Sequence, residues 1–325
     1  MRQISLLNFI NALKLRATGF MNELTEKIIK NLSFYSKKAL IQYRNFHYLL
    51  KPVTLIKPIF VVGCSRAGTT LIYKTFSQSK HIGSLNKETH DFWAELHPLT
   101  ERFWNSHAIE QTFASAIDKS KVSKYFYTQT GQTRVVDKNN QNGLSIPYLY
   151  QLFPDAHFIF IKRNAGDNID SLIHGWGKSN EFATWSKNLT ETIAIEQGKY
   201  QQWCFFLAEG WRHLTKASIE QVCAFQYRTM NEAILVAKTL IPQHQWHEVA
   251  YETLINQPVL EFEKLFQACN LPFDEAMKNH CAAVLETPYN TFSEIRVDKW
   301  KDGSNQEKIS AILPTLADIS LQLGY

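Results

Sequence analysis

Ile59-Phe60-Val61-Val62-Gly63-Cys64-Ser65-Arg66-Ala67-Gly68-Thr69-Thr70 is a short apolar run that ends in a glycine-bearing turn. Apolar residues before such a turn, and a helical pattern after it, are typical of a buried strand that leads into a helix. The backbone N–H groups of the turn and the amino end of the helix attract phosphate. The stretch therefore predicts either an anion-binding loop or a tight turn with a capping threonine.

The two glycines have the spacing of a nucleoside-triphosphate loop, but the lysine of that loop is missing. Four residues separate Gly63 from Gly68, and Thr69 stands at the position where such a loop carries its lysine. The β- and γ-phosphates of ATP would lack their main cation here, whereas Arg66 supplies positive charge at another place. A small-molecule kinase is therefore the less favoured interpretation of this loop.

Further apolar runs alternate with helical stretches along the chain. Strands are predicted at Arg134–Asp137, His157–Ile161 and His247–Tyr251. Helices are predicted at about 69–79, 144–153, 166–174, 258–269 and 274–283, with a helical layer over about 180–243. This alternation predicts one α/β domain over residues 58–325, a P-loop-like three-layer domain with a central parallel sheet and helices on both faces.

Composition limits the class of protein. The chain has 325 residues, of which 45% are hydrophobic and 20% charged, enough for a large core. Its five cysteines form no C-x-x-C pair, which favours reduced thiols in a cytoplasmic protein over a disulfide framework or a zinc site. The sequence contains no run of about 18 apolar residues, so no transmembrane helix is predicted.

The amino-terminal part has a different charge from the rest. Residues 1–57 carry ten Lys or Arg and two Glu, a net charge of +8, and Leu6, Leu7, Phe9, Ile10 and Leu13 follow a helical period. We predict a basic helical extension over residues 1–57. It would either touch a membrane surface or an anionic partner, or pack on the domain with a solvated cationic face.

The loop and several later motifs resemble the sulfotransferases that use 3′-phosphoadenylyl sulfate (PAPS). Ser65-Arg66-Ala67-Gly68-Thr69-Thr70 is similar to the family's P-R-S-G-T-T loop, and Phe153–Arg163 to its L-F-P-x-A-x-F-I-x-x-x-R stretch. Further similar stretches are Tyr251-Glu252 with Pro258, Leu271-Pro272-Phe273 and Lys299-Trp300-Lys301. The resemblance runs from about residue 58 to the end of the chain.

This resemblance implies transfer of a sulfuryl group from PAPS to a hydroxyl or amine, with no metal and with release of 3′-phosphoadenosine 5′-phosphate (PAP). It assigns the 5′-phosphosulfate to Arg66, Ala67, Gly68, Thr69 and Thr70. The 3′-phosphate would bind Arg163 and Ser171, where a guanidinium and a hydroxyl can converge on one anion. Tyr251, Lys299 and Lys301 are further nucleotide-binding candidates.

The catalytic candidates follow from the same resemblance. Leu85–Trp93 is similar to the K-E-x-H-F stretch of glycan sulfotransferases and to the E-E segment of tyrosylprotein sulfotransferases, so Glu88 is the predicted base and His90 its rival. Lys138 corresponds to the lysine near the sulfonate, and Arg66 would stabilise the leaving phosphate.

The acceptor stays open. A glycan, a lipid, a peptide or a small metabolite would fit the sequence, and nucleic acid is not expected. A protein that binds PAP without catalysis is the alternative from another class, and the oligomeric state stays open as well.

Overall fold

Four parallel strands form the centre of the structure, a computed structural model that describes residues 34–286 and 295–325. They are β1 (Ile59–Val62), β2 (Val136–Lys138), β3 (His157–Lys162) and β4 (Trp246–Ala250), in the order β2-β1-β3-β4. Ile59 lies opposite Val136 on one side and His157 on the other. β1 is buried along its whole length, as expected for a central parallel strand with both faces covered.

Helices surround the sheet. Residues 34–50 are helical and are called α1. The others are α2 (Thr69–Phe76), α3 (His90–Leu96), α4 (Ala116–Thr130), α5 (Ile146–Leu152), α6 (Ala165–Trp176), α7 (Ser179–Phe182), α8 (Ile195–Gly198), α9 (Ile219–Lys238), α10 (Tyr251–Asn256), α11 (Pro258–Ala268), α12 (Glu275–Ala283), α13 (Gln306–Ile312) and α14 (Ala317–Leu323). The predicted α/β architecture is confirmed.

The carboxyl ends of the four strands meet at one edge because all strands run the same way. Gly63 follows β1, Lys138 ends β2, Arg163 follows β3 and Tyr251 follows β4. Ligands of open parallel sheets bind at this edge. The topology alone therefore brings the phosphate loop, a lysine, an arginine and a tyrosine from distant parts of the chain to one place.

The structure differs from the sequence predictions in a few segments. β2 begins two residues later than predicted and includes Lys138, and Tyr251 begins α10 instead of ending β4. Within the predicted helical layer, α9 is the long helix, and residues 183–218 form turns and very short helices, of which α8 is one. Their buried backbone is satisfied by side chains, since Gln226 Nε2 donates to the carbonyl oxygens of Cys204 at 2.9 Å and Phe206 at 3.3 Å.

α1 packs on the domain through polar contacts with α4. The Tyr48 hydroxyl donates to the Ser120 carbonyl oxygen at 3.1 Å. Arg44 Nη1 donates to the carbonyl oxygens of Thr128 at 3.3 Å and Gln129 at 3.1 Å. No helix in the described part of the chain is long and apolar enough to cross a membrane. Residues 1–33 of the extension predicted over residues 1–57 lie outside the described residues, and the boundary at residue 57 stays a prediction.

All five cysteines are free and buried. Burial raises the pKa of the Cys204 and Cys281 thiols to about 12. A buried thiol is a small apolar side chain and a poor nucleophile. The cysteines therefore serve the core.

Candidate active site

The phosphate loop is held in shape by side chains from the neighbouring strand and helix. Arg163 Nη1 donates to the Arg66 carbonyl oxygen at 2.9 Å, and Asn168 Nδ2 donates to the Ser65 carbonyl oxygen at 2.8 Å. Arg66 itself has a left-handed backbone, with φ of 69°. A non-glycine residue in that conformation costs about 1 kcal/mol or more. The contacts from Arg163 and Asn168 support this conformation.

Gly68 is required where the loop enters α2. It has φ of 107°, and a Cβ atom placed on it would lie 2.7 Å from Tyr251 Cδ2 and 2.9 Å from Ile161 Cδ1. Any side chain would therefore push the loop away from β3 and from Tyr251. The glycine fixes the distance between the amino end of α2 and the aromatic ring beside it.

Three cations meet at this edge and are here called the triple-cation cluster: Arg66, Arg163 and Lys299. Burial and the charge of Arg163 lower the pKa of Arg66. Burial and the charges of Arg163 and Arg66 lower the pKa of Lys299. Arg163 also stacks on Tyr251, with Cζ 4.1 Å from the ring centroid. Buried cations that repel one another favour the binding of an anion between them, because the anion reduces the repulsion.

Lys299 reaches the cluster because α6 anchors the segment that carries it. Asp167 is fully buried, and its carboxylate accepts the N–H groups of Asp298 at 2.8 Å and Trp300 at 3.2 Å. Lys299 Nζ lies 3.8 Å from Asp170 Oδ2. The anchored segment thus presents Lys299 to the other two cations.

The Trp300 indole lies directly on Gly166 at the beginning of α6. A Cβ atom at Gly166 would overlap Trp300 Nε1, so the indole fits only against glycine. Lys301 turns away from the cluster, since it pairs with Asp298 at 2.7 Å and its side chain is about half exposed. The structure therefore brings Lys299, but not Lys301, into the site.

Ser171 lies on α6, two turns beyond Arg163, and is buried. Its place on the helix that leaves β3 agrees with the sequence prediction. The first turn of this helix is capped by Asn164, whose side chain accepts the Asp167 N–H at 2.8 Å.

Glu88 and Lys138 form an ion pair beside the cluster. Lys138 Nζ is 2.5 Å from Glu88 Oε1, and the lysine side chain is only 5% exposed. Burial alone would raise the pKa of Glu88, but the charge and hydrogen bond of Lys138 outweigh it and lower that pKa. The charges of His90 and Arg66 act in the same direction. The two predicted catalytic residues are thus in contact and close to Arg66.

Asp137 holds the segment that carries Glu88. Its buried carboxylate accepts the Thr89 hydroxyl at 2.7 Å, the Trp93 indole N–H at 3.2 Å and the Asn142 amide at 3.0 Å. Burial raises the pKa of Asp137 above its ordinary value, and these hydrogen bonds offset only part of the increase. Sequence reasoning missed this residue. The available signal was a carboxylate inside a short apolar strand, next to Lys138.

His90 is the first residue of α3, and its side chain is about as exposed as that of Glu88, which is 37% exposed. Its Nε2 atom lies 3.2 Å from Asp91 Oδ1, and its side chain is 42% exposed. Glu88 differs from His90, the other candidate base, in its ion pair with the buried side chain of Lys138.

A separate cluster lies at the opposite edge of the sheet. His157 Nδ1 is 3.0 Å from His247 Nε2, and the ligand atoms of these residues and Cys269 lie within 4.8 Å of one another. Burial, followed by the charge of His247, lowers the pKa of His157 to about 4, so its imidazole is neutral at pH 7. The spacing of the cysteines could not reveal this cluster because its residues meet only in the fold. Its position at the amino ends of β3 and β4 separates it from the phosphate loop.

Comparisons with known proteins agree with this geometry. The sequence model described as the sulfotransferase family matches residues 58–275. Among solved structures, the sulfotransferase STF9 from Mycobacterium avium is similar over 86% of this chain and 81% of its own, with 13% identity and a TM-score of 0.52. It supports the fold.

Two other solved structures are similar at lower TM-scores. The sulfotransferase domain from the curacin biosynthetic pathway has 18% identity over 81% of this chain and 99% of its own, with a TM-score of 0.44. Mouse sulfotransferase SULT7A1, complexed with PAP, has 14% identity over 82% and 87%, with a TM-score of 0.44. A search of curated protein sequences finds no significant match. Since the family match spans two thirds of the sequence, from β1 to the beginning of α12, this chain belongs to the sulfotransferase family.

Proposed function

We propose that this enzyme transfers the sulfuryl group of PAPS to a hydroxyl or amine acceptor by in-line displacement, with protein cations in place of a metal. The observation that carries the proposal is the triple-cation cluster beside the Glu88–Lys138 pair. The first can bind the phosphates of the nucleotide, and the second can supply a base and a cation for the transferred group. The family assignment argues against the kinase alternative.

The loop and α6 would bind the nucleotide. The N–H groups of the loop and of the first turn of α2 (Ala67, Gly68, Thr69 and Thr70) suit the 5′-phosphosulfate, with Arg66 beside it. Arg163 and Ser171 suit the 3′-phosphate, and Lys299 adds a third positive charge. The residues fit such an anion. Ser65 Oγ and Arg163 Nε are buried and have no hydrogen-bond partner among the described residues, whereas buried polar atoms normally have one.

The displacement moves one sulfuryl group and one proton. The acceptor oxygen or nitrogen attacks sulfur, the bond from sulfur to the 5′-phosphate oxygen breaks, and its electron pair leaves with PAP. Arg66 would stabilise the negative charge that develops on this leaving group. Glu88 would accept the proton of the acceptor, and His90 is the alternative base.

The ion pair suggests how the base is prepared. Lys138 holds Glu88 at 2.5 Å and lowers its pKa, which makes the carboxylate a weaker base. A sulfonate beside Lys138 would compete with Glu88 for the lysine. When the lysine turns to the sulfonate, Glu88 loses its partner and its pKa rises, so the base becomes stronger only when the sulfuryl donor is present.

Calorimetry and a transfer assay test the proposal. In a buffer with EDTA, PAP should bind to the protein. In a separate buffer that contains Mg²⁺ and no EDTA, ATP should bind much more weakly. With radiolabelled PAPS, lysate fractions should yield a labelled lipid, glycan, peptide or small metabolite. Preferential binding of ATP with Mg²⁺ would restore the kinase alternative, and PAP binding without transfer to any acceptor class would indicate a protein that binds the nucleotide only.

A further inference from the structure

α1 exposes a large apolar face. Five large side chains on one side of this helix are each between 61% and 71% exposed: Tyr35, Tyr43, Phe46, Leu49 and Leu50. Phe34 and Leu40 on the same helix are exposed as well. Scattered apolar residues are common at protein surfaces, but an apolar patch on one face marks a place of interaction.

The five side chains lie on one side of the helix. At 3.6 residues per turn they fall within about 120° of its circumference. Arg44 and Tyr48 lie on the opposite side and make the contacts with α4. A helix at the surface of a soluble domain normally turns its apolar side to the core. α1 has the reverse arrangement.

The segment that carries the face is basic. Residues 34–57 contain Lys37, Lys38, Arg44, Lys51 and Lys57 and no acidic residue. Lys37, Lys38 and Lys51 are exposed. Lys38 borders the apolar face and Lys51 follows the carboxyl end of α1, whereas Lys37 lies on the side of Arg44. Aromatic and leucine side chains on one side of a helix, with lysines beside them, are typical of helices that lie in the interface of a membrane.

We propose that this face of α1 binds the surface of an anionic lipid membrane, with the apolar side chains in the headgroup region and the lysines on lipid phosphates and carboxylates. Charge argues for this occupant over two others. A second copy would bring the same lysines against each other, which is unfavourable. Residues 1–33 carry five Lys or Arg and two Glu, so they too have the same sign as the face.

Flotation of the full chain with lipid vesicles tests the proposal. One set contains phosphatidylcholine alone, and the other adds about 30% phosphatidylserine, which creates the negative surface potential that attracts basic segments. The wild type should float with the anionic vesicles and stay largely unbound with the neutral ones. Equal flotation with both sets, or with neither, would overturn the proposal.

Two variants assign the binding to α1. The combination of Tyr35→Ser, Phe46→Ser and Leu49→Ser should weaken binding at least roughly tenfold because the apolar contribution is removed. Lys38→Gln with Lys51→Gln should weaken binding to anionic vesicles roughly 10- to 30-fold at low salt. Val236→Ser with Leu321→Ser is the control, since these residues are 69% and 76% exposed on α9 and α14.

The control should bind vesicles like the wild type, and every variant should keep its thermal midpoint and its PAP affinity. Unchanged flotation of the apolar variant would show that α1 is not the surface involved. If the wild type instead forms dimers that the apolar variant abolishes, and neither floats, the face is an interface between copies and the proposal is wrong. Because PAP binding is measured separately, a failure here leaves the proposed reaction untouched.

Discussion

The triple-cation cluster and the Glu88–Lys138 pair lie at the same edge of the sheet but handle charge in opposite ways. In the cluster, burial and like charges lower the pKa values of Arg66 and Lys299. In the pair, the cation of Lys138 overcomes burial and lowers the pKa of Glu88, which favours the charged carboxylate beside the lysine. The cluster is thus made less stable by its own charges, while the pair is neutralised internally.

This contrast indicates which part should govern affinity and which part turnover. An anion relieves the repulsion within the cluster as soon as it binds, so the cluster should contribute to the binding of PAP and PAPS alike. In the proposed mechanism the pair would change only when a sulfonate competes for Lys138, so its contribution should appear in the chemical step. Substitutions in the two parts can test this division of roles.

Replacement of Glu88 by Gln should have the largest effect. The amide keeps the size of the side chain but cannot accept the proton of the acceptor, so turnover should fall about 10²- to 10⁴-fold. PAP affinity, measured by calorimetry, should stay nearly unchanged. His90→Asn is the matched control and should cost much less. A fully active Glu88→Gln beside an inactive His90→Asn would reverse the two roles, and full activity of both would remove the proposed acid–base chemistry.

Replacement of Arg163 by Ala should lower affinity more than turnover. A hydrogen bond to a charged group contributes about 1.5–3 kcal/mol, so PAP should bind roughly 10- to 100-fold more weakly. Adenosine 5′-phosphosulfate lacks the 3′-phosphate and should lose much less. Ser171→Ala should show the same selectivity with a smaller loss. Equal losses for both ligands would mean that Arg163 acts mainly through its hydrogen bond to the loop.

Alanine variants of Lys299 and Lys301 can be compared directly, and the expected difference in PAP affinity is smaller. Lys299→Ala should weaken PAP binding roughly 3- to 10-fold, toward the low end for a charged contact because Asp170 shares this lysine. Lys301→Ala should leave PAP affinity within error, since that lysine pairs with Asp298. Calorimetry at one ionic strength compares them. A larger loss for Lys301→Ala would contradict the arrangement of the segment on α6.

The pH profiles of kcat/KM and kcat should differ, because the first reports the free enzyme and the second reports the complex with substrate. The pKa of Glu88 is lowered in the free enzyme, so its carboxylate stays ionised below the ordinary value of 4.5. The acid limb of kcat/KM, which reports the free enzyme, should therefore lie below that value. If Lys138 turns to the sulfonate, the acid limb of kcat should lie at higher pH.

Lys138→Ala provides the control for this profile. Without the lysine, the acid limb of kcat/KM should move to higher pH, toward that of kcat. Coincident limbs for kcat and kcat/KM in the wild type would show that Lys138 stays with Glu88 during transfer, and the preparation of the base would then need another cause.

The strands were predictable because each is a short apolar run between turn residues, and parallel strands bring the residues at their carboxyl ends to one edge. This logic located the loop, while the resemblance to sulfotransferases identified Lys138 and Arg163. The contact between Glu88 and Lys138 was not predictable, since fifty residues separate them and only the fold brings them together. Asp137 was missed because one carboxylate in a short run does not show whether it faces solvent or three donors.

Lys299 and Lys301 show the same limit on a smaller scale. They flank one tryptophan in the sequence, and their composition and spacing give no reason to choose between them. The choice is made by Asp167 and Asp170, which lie more than a hundred residues earlier and orient the segment through its backbone N–H groups and the Lys299 side chain. Sequence reasoning therefore finds the segment, while tertiary contacts select the residue.

The contact between Gly166 and Trp300 has a consequence for the history of the sequence. Neither residue has a group that reacts, yet a methyl group at Gly166 would overlap the indole and displace the segment that carries Lys299. The residues at the two positions should therefore covary among related sequences. Relatives with a larger residue at the position of Gly166 should carry a smaller one at the position of Trp300, and drift at either site alone should be selected against.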